Sequence, residues 1–429
     1  MAAIESLPLD LQRIGRRTTA VLFAGQSLVS AAAIATATVM TIVGEELSGN
    51  PAWAGVPFAA VQLAAAPFAL VWGVAWDRIG RRNGLTAGLL LGLVGMALGV
   101  MAIETGSMAV FLVGLIGLGG ARAAIQLARF IAAEVNPPLA RGRAISYVVL
   151  GGTVGAVGGP ALVAPSGKWA LALGLPELAG PFGISVILMG LAMALTWSGL
   201  RPEPMAVSRQ VAALFPESDG ATGTARSMAE LGRLPGVVVA VVGMVLAQMV
   251  MVMVMGITSL HMRGHEHHLG SISLVFAAHT LGMYAFSILS GRLADQWGRG
   301  PVILAGAGMM LASVALAPLS AAVIPLAVAL FLLGWGWNLC FVGGSALLAD
   351  HLTPPERSRA QGLNDLLIGL VSAAGSLSSG VVYASMGFVT VNVVGGAFVL
   401  VVLTLTGWWF MKRSVGGSRR ITEPLAGQQ

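Results

Sequence analysis

The chain has 429 residues and a formal charge of +6 at pH 7, yet 56% of its residues are hydrophobic and only 10% are charged, against roughly 25% charged in an ordinary soluble domain. This excludes a soluble domain and predicts an all-α polytopic membrane protein whose surroundings are the lipid bilayer. The arginines sit between apolar runs, with no long basic tail and no interleaved aromatics, which excludes nucleic acid as a partner; the single cysteine, Cys340, excludes an intramolecular disulfide and any CxxC motif.

A short amphipathic lead carries Arg13, Arg16 and Arg17. The apolar run Thr18–Val43 that follows is too long for a signal-peptide core and long enough to cross a bilayer of about 30 Å, so it reads as an anchor that stays. Further spans are predicted at 53–76, 84–103, 108–134, 145–165 and 179–200, then at 235–259, 269–291, 302–319, 323–349, 360–383 and 389–411. The expected organisation is an N-terminal six-helix bundle over 1–200, a polar linker over 201–234, a C-terminal six-helix bundle over 235–411 and a tail over 412–429. With both termini cytoplasmic, the external loops hold only Lys168 and Arg263, and Arg122 and Arg129 fall within the fourth span; the 24 basic residues less these four leave 20 on the cytoplasmic side, the bias that fixes orientation. In a bacterium this is the inner membrane.

Polar residues inside spans are costly in hydrocarbon and therefore expected to face water or a partner. Gln26 lies on the first span, Arg122 and Gln126 on the fourth, Gln248 on the seventh and Asn338 on the tenth. Arg122 holds an anionic substrate or a gate, or is a structural charge bonded to backbone carbonyls. No pair of intramembrane carboxylates marks a proton relay. There is no P-loop and no nucleophile with an assignable base, and the linker is too short for a catalytic domain, so no enzyme is expected.

The stretch Met249–Met283 holds five of the six histidines and six of the 20 methionines. Residues four apart share a helix face about 6 Å apart along the axis, which pairs Met251 with Met255 and His279 with Met283. A tight connection predicts that the two spans run antiparallel and adjacent, turning both pairs toward one space as a ladder for a soft metal. Residues two apart point about 200° apart, so Met253 faces elsewhere. Plain packing of flexible thioethers is the other reading. Between the pairs, His261, His265, His267 and His268 form an external cluster that either collects a divalent ion or is a solvated turn.

The halves repeat. Gly73-Val-Ala-Trp-Asp77-Arg78-Ile-Gly80-Arg81-Arg82 returns as Gly291-Arg-Leu-Ala-Asp295-Gln-Trp-Gly298-Arg299, and Pro137-Pro138 with Arg141-Gly-Arg143-Ala144 returns as Pro354-Pro355 with Arg357-Ser-Arg359-Ala360. These G-x-x-x-D-R-x-G-R-R loops resemble the signature of the major facilitator superfamily, whose fold is twelve transmembrane helices in two parallel six-helix pseudo-repeats. The first, fourth, seventh and tenth helices line the central cavity in that superfamily. Asp77, with Arg78 and Arg81, is expected to latch onto the helix start of the eleventh span, and Asp295, with Arg299, onto that of the fifth, closing the cytoplasmic side.

Met251-x-x-x-Met255 on the seventh span with His279-Thr-Leu-Gly-Met283 on the eighth further resembles the CcoA-like copper importers of that superfamily. The resemblance implies Met251, Met255, His279 and Met283 as copper ligands, uptake of copper as cargo with no permanently bound cofactor, delivery to a cytoplasmic copper acceptor, supply to haem-copper oxidase assembly, and a monomeric carrier. Related branches are associated with riboflavin, so a carrier of an organic solute, a riboflavin importer or a drug exporter, is the alternative.

Overall fold

The computed structural model describes residues 8–215 and 226–421. In hydrocarbon a backbone must satisfy its own hydrogen bonds, which selects helices for apolar runs of this length. The first half contains α1 (Leu9–Ser48), α2 (Val56–Ile79), α3 (Arg81–Thr105), α4 (Met108–Glu134), α5 (Pro138–Ala172) and α6 (Ala179–Gly199). The second contains α7 (Pro235–Gly264), α8 (Leu269–Gln296), α9 (Arg299–Leu319) and α10 (Val323–Asp350), then a continuous helical run Pro354–Ile421. That last run breaks at Gly387, at φ 78° and ψ −179°, a conformation that a Cβ disfavours. It therefore counts as two spans, α11 before the break and α12 after it, and among the described residues the membrane-spanning helices number twelve.

The repeat seen in the sequence is a repeat of geometry. Gly80 between α2 and α3 and Gly298 between α8 and α9 take φ 85° and 90°, the positive region that lets one helix turn straight into the next. Each half is then sewn internally by a glycine seam. A Cβ at Gly114 of α4 would sit 2.5 Å from the Gly95 carbonyl oxygen of α3, and one at Gly336 of α10 would sit 2.7 Å from that of Gly306 in α9. With no side chain between them the backbones touch, as small residues allow in membrane bundles.

The two halves meet at the face that carries the α7–α8 turn, here the hairpin face. Ser376 Oγ of α11 donates to the Gly55 carbonyl at 2.8 Å. Thr41 Oγ1 of α1 donates to the Gly256 carbonyl at 3.0 Å and lies 2.7 Å from Ser259 Oγ of α7. A Cβ at Gly55 would overlap the Ser376 carbonyl. Toward the opposite face, which carries both chain ends, α4 turns Gln126, Arg129 and Phe130 outward as exposed residues. Among the described residues the hydrogen bonds that join the halves thus gather at the hairpin face, the pattern of a bundle closed there and open toward the terminal face.

The amphipathic lead is part of α1, and the linker is more structured than its polar composition suggests. Its helix Pro204–Leu214 buries Val207 and Val211 with Val135, against Leu11, Ile14 and Phe215. Glu203 Oε1 accepts from the backbone N–H groups of Arg81 at 2.6 Å and Arg82 at 3.1 Å, capping the start of α3. After the undescribed segment 216–225, Arg226 clamps Glu356: its Nε and Nη2 both reach the carboxylate at 2.8 Å and its backbone N at 2.9 Å, while Thr353 N donates at 2.9 Å.

Glu356 is 2% exposed, and these donors, the Arg226 side chain first, hold its carboxyl well below the usual carboxylate range. Because the folded pKa is depressed, the clamp's contribution is fully present above the unfolded value of about 4.3 and is lost only as pH falls toward the folded one. Tryptic cleavage after Arg226, taken relative to an unstructured peptide of the same sequence so that the protease's own pH dependence cancels, is therefore expected to be slow and flat from about pH 6 to 8, and several-fold faster in Glu356→Gln at every pH in that window. A cleavage rate unchanged by the substitution would show that the clamp does not hold the linker.

Candidate functional site

The expected adjacency of α7 and α8 holds only at mid-depth. Along most of its length α8 packs on α10, because Gly334 admits it: a Cβ at Gly334 would overlap the His279 carbonyl and meet Met283 N at 3.1 Å. α7 packs instead on the α11 run and on α10. Where α7 and α8 do meet, Met251, Val252 and Met283 form one small buried cluster, with Phe58, Met255, Tyr284 and Trp337 packed around it. Three of the four sulfur and nitrogen candidates are thereby gathered, and Phe58 brings in the N-terminal half. Met249 and Met253 face the other way, their Cγ atoms each 3.3 Å from the Cβ position of Gly375 on α11, as the angle between alternate helix residues requires.

His279 is fully buried. Its Nδ1 lies 2.9 Å from the Leu330 carbonyl oxygen of α10; a carbonyl only accepts, so in the neutral ring Nδ1 carries the proton and Nε2 a lone pair. Nε2 has no protein partner. A ring oriented through N–H to a backbone carbonyl, with its second nitrogen bare, is the arrangement that ligating histidines adopt, and a buried acceptor left unsatisfied otherwise costs about 1–3 kcal/mol.

Polar groups in the spans find mostly local partners. Arg122 Nη1 donates to Gln62 Oε1 on α2 and lies within electrostatic reach of Tyr284 on α8. Gln126, one turn along α4, is exposed. Gln26 Nε2 donates to Ser30 Oγ at 3.3 Å, beside Gly152 of α5. Gln248 Oε1 accepts from Trp337 Nε1 at 2.8 Å. Asn338 departs from the expectation of facing water: it is 4% exposed and spends its Nδ2 on the Met283 carbonyl at 2.7 Å and Ser287 Oγ at 3.0 Å, where α8 is interrupted between Tyr284 and Ser287. Gln62, Phe58, Tyr284 and Trp337 were not picked out from the sequence. Gln62, an amide in an apolar span, carried the same signal as Gln26 and was legible in principle; the aromatics gave none.

The signature carboxylates do not reach across the halves. Asp77 pairs with Arg81 one turn on at 2.7 Å, and Arg81 also binds Glu134 of α4 at 3.1 Å; Asp295 pairs with Arg299 at 2.7 Å, and Arg299 binds Asp350 of α10 at 3.1 Å. The two triads match residue for residue, and each stays within its own half, since the terminal face is open and the nearest cation is on the next turn. Arg78 is exposed.

The external histidines come together only in pairs: the His261 and His265 rings lie 4.4 Å apart, edge to face, and His267 and His268 line one pocket. The His261 ring stacks on Phe388 at 4.1 Å, His265 Nδ1 is 2.9 Å from the His261 carbonyl, and His267 Nε2 is 2.8 Å from the Ala321 carbonyl. His268 sits at the start of α8 and shares a shallow pocket with Arg263, Glu266 and His267. Among the described residues no group of three or more His, Cys, Asp or Glu side chains is placed to hold an ion.

Comparison with known proteins gives a consistent picture. The chain is 34% identical over 406 residues to an uncharacterised transporter, YdeG of Bacillus subtilis strain 168, with 94% of each chain covered. It is 28% identical over 379 residues to the riboflavin transporter RfnT of Brucella anthropi, covering 88% of this chain and 92% of that one. Among solved structures, the nucleoside transporter NupG superposes with a TM-score of 0.67 at 15% identity, covering 92% of this chain and 99% of that one. A bacterial homologue of the human lysosomal transporter Spinster, in an inward-facing unoccupied conformation, gives 0.67 at 15% identity, covering 91% and 96%. At such identities these structures establish the fold alone. The model of the Major Facilitator Superfamily matches residues 22–265 and 240–427, and the chain belongs to that superfamily of secondary transporters.

Proposed function

We propose that this carrier imports copper, as Cu(I), across a bacterial inner membrane, with both termini cytoplasmic and the hairpin face periplasmic. The observation that carries the reading is His279: its ring is locked by Leu330 and presents a bare, buried Nε2 one helical turn from Met283. Met251, Met255 and Met283 add thioethers in one cluster. Thioether and neutral imidazole are soft, uncharged donors that suit Cu(I) and hold it without the charge that would trap it. Met255 lies nearest the hairpin face, and Met251 and Met283 meet deeper in the bundle, so an ion admitted when the hairpin face opens reaches Met255 first and the deeper pair next. The halves closed at the hairpin face and open at the terminal face correspond to the state that releases cargo to the cytoplasm. A cytoplasmic copper acceptor, and through it haem-copper oxidase assembly, is the corresponding destination.

A second reading, import of a riboflavin-like organic solute, is favoured by the likeness to RfnT. Phe58, Trp337 and the Gln248 and Gln62 amides offer stacking surface and hydrogen bonds to such a cargo. The two readings separate in one experiment: cellular copper and labelled riboflavin are measured in cells lacking their own importers, with and without this protein. Copper gained without riboflavin supports the first reading, and riboflavin gained without copper replaces it by the second.

A further inference from the structure

Arg122 is a cation inside a membrane span whose partners, Gln62 and Tyr284, are both neutral. It is half-buried on α4, and the ion pairs found among the described residues use Arg81, Arg82, Arg226 and Arg299 instead. Its guanidinium has five N–H donors, of which one goes to Gln62 Oε1. That bond has a consequence for Gln62: with its oxygen committed to Arg122, the amide presents its NH₂ as a donor. Tyr284, across the divide between the halves, is within electrostatic reach and brings a phenolic O–H. Guanidinium and amide NH₂ only donate and the phenol is able to donate as well, and a cation at membrane depth without a counter-ion is expensive. What completes such a set is a negative charge. Tyr284 also packs on the Met251–Met283 cluster, so the donor set adjoins the thioethers.

We propose that Arg122, Gln62 and Tyr284 form a binding site for a monoanion, either a small inorganic anion or the carboxylate of an organic cargo. On the copper reading, the anion is chloride entering with Cu(I) and offsetting the two positive charges brought together there; on the organic reading, it is a carboxylate of the solute itself. The site stands without either reading, since its donors are present whichever cargo is carried.

The test needs neither copper nor flavin. Purified full-length protein in detergent is unfolded by heat in rising chloride or acetate, with the bulky sulfonate HEPES holding ionic strength constant, for wild type, Arg122→Gln and Arg122→Lys. Wild type is expected to gain about 2–4 °C along a saturating curve, Arg122→Gln to give a flat line, and Arg122→Lys, which keeps the charge, to recover part of the gain even if the glutamine variant folds poorly. A gain with chloride alone identifies an inorganic anion, and a gain with acetate identifies a carboxylate. The absence of a saturating gain in wild type, or the same gain in Arg122→Gln, overturns the site. Because transport is not measured, a failure here is distinct from a failure to accumulate copper.

Discussion

Cells expressing His279→Ala are expected to hold no more copper than cells without the carrier, at membrane levels equal to wild type. Met251→Ala and Met283→Ala fall nearly as far, while Met253→Leu accumulates as wild type does. The ordering follows from the geometry. His279 offers a bare nitrogen one helical turn from Met283, and Met251 and Met283 share one buried cluster, whereas Met253 is turned to α11 beside Gly375. Packing alone predicts another order: exchanging methionine for leucine nearly conserves volume and costs under about 1.5 kcal/mol, so Met251→Leu would be as harmless as Met253→Leu. A coordinating sulfur cannot be replaced by a methyl group, and Met251→Leu is therefore expected to lose most of its accumulation, tenfold or more. Wild-type copper in both Met251→Leu and His279→Ala would remove the metal site and leave the organic-solute reading.

Gly55→Val is expected to reduce transport of any cargo at least tenfold by a route that touches no ligand. The Cβ position at Gly55 overlaps the Ser376 carbonyl in the seam that closes the hairpin face. Overpacking of this kind costs about 1–3 kcal/mol; since reversing a 99:1 population to 1:99 takes about 5.5 kcal/mol, that penalty brings a dominant closed state near parity. Spin labels on cysteines placed at Asn50 and Met386 would report a longer distance across the hairpin face in Gly55→Val than in wild type. Gly73→Ala, where nothing lies within 4 Å of the added atom, is the control and leaves both distance and transport unchanged. An unaltered distance in Gly55→Val would show that this seam does not set the equilibrium between states.

What the sequence disclosed and what it withheld divide along the range of the interactions. Helix number, the twofold repeat and the orientation of Met253 away from Met251 are local consequences of apolar length, of a glycine needed at Gly80 and Gly298, and of 100° per residue. Partner choice is not local. That α8 lies along α10 depends on Gly334 finding His279, 55 residues earlier, and nothing in the α7–α8 turn announces it. The loop histidines are close in sequence, and His261 and His265 do meet ring to ring, yet long-range partners divide the set: His261 stacks on Phe388 and His267 turns to the Ala321 carbonyl. Asp77 and Asp295 were expected at helix starts of the opposite half; in a bundle open at that face they bind their own Arg81 and Arg299. The linker's Val207 and Val211 are too few to stand out against its polar residues, although they dock its helix.

The lone thiol bears on what a copper cargo would meet on its way through. Cys340 is fully buried between α9 and α10, its Sγ 3.6 Å from the Ile303 carbonyl. The chain has no other cysteine, so the route through it contains no sulfur anion. On the copper reading, the metal meets only weak, uncharged donors until it emerges, and any thiolate-bearing molecule in the cytoplasm binds it more tightly than the carrier does. The flow is then drawn by a gradient of ligand affinity: the protein lowers the barrier, and the receiving thiolates set the direction.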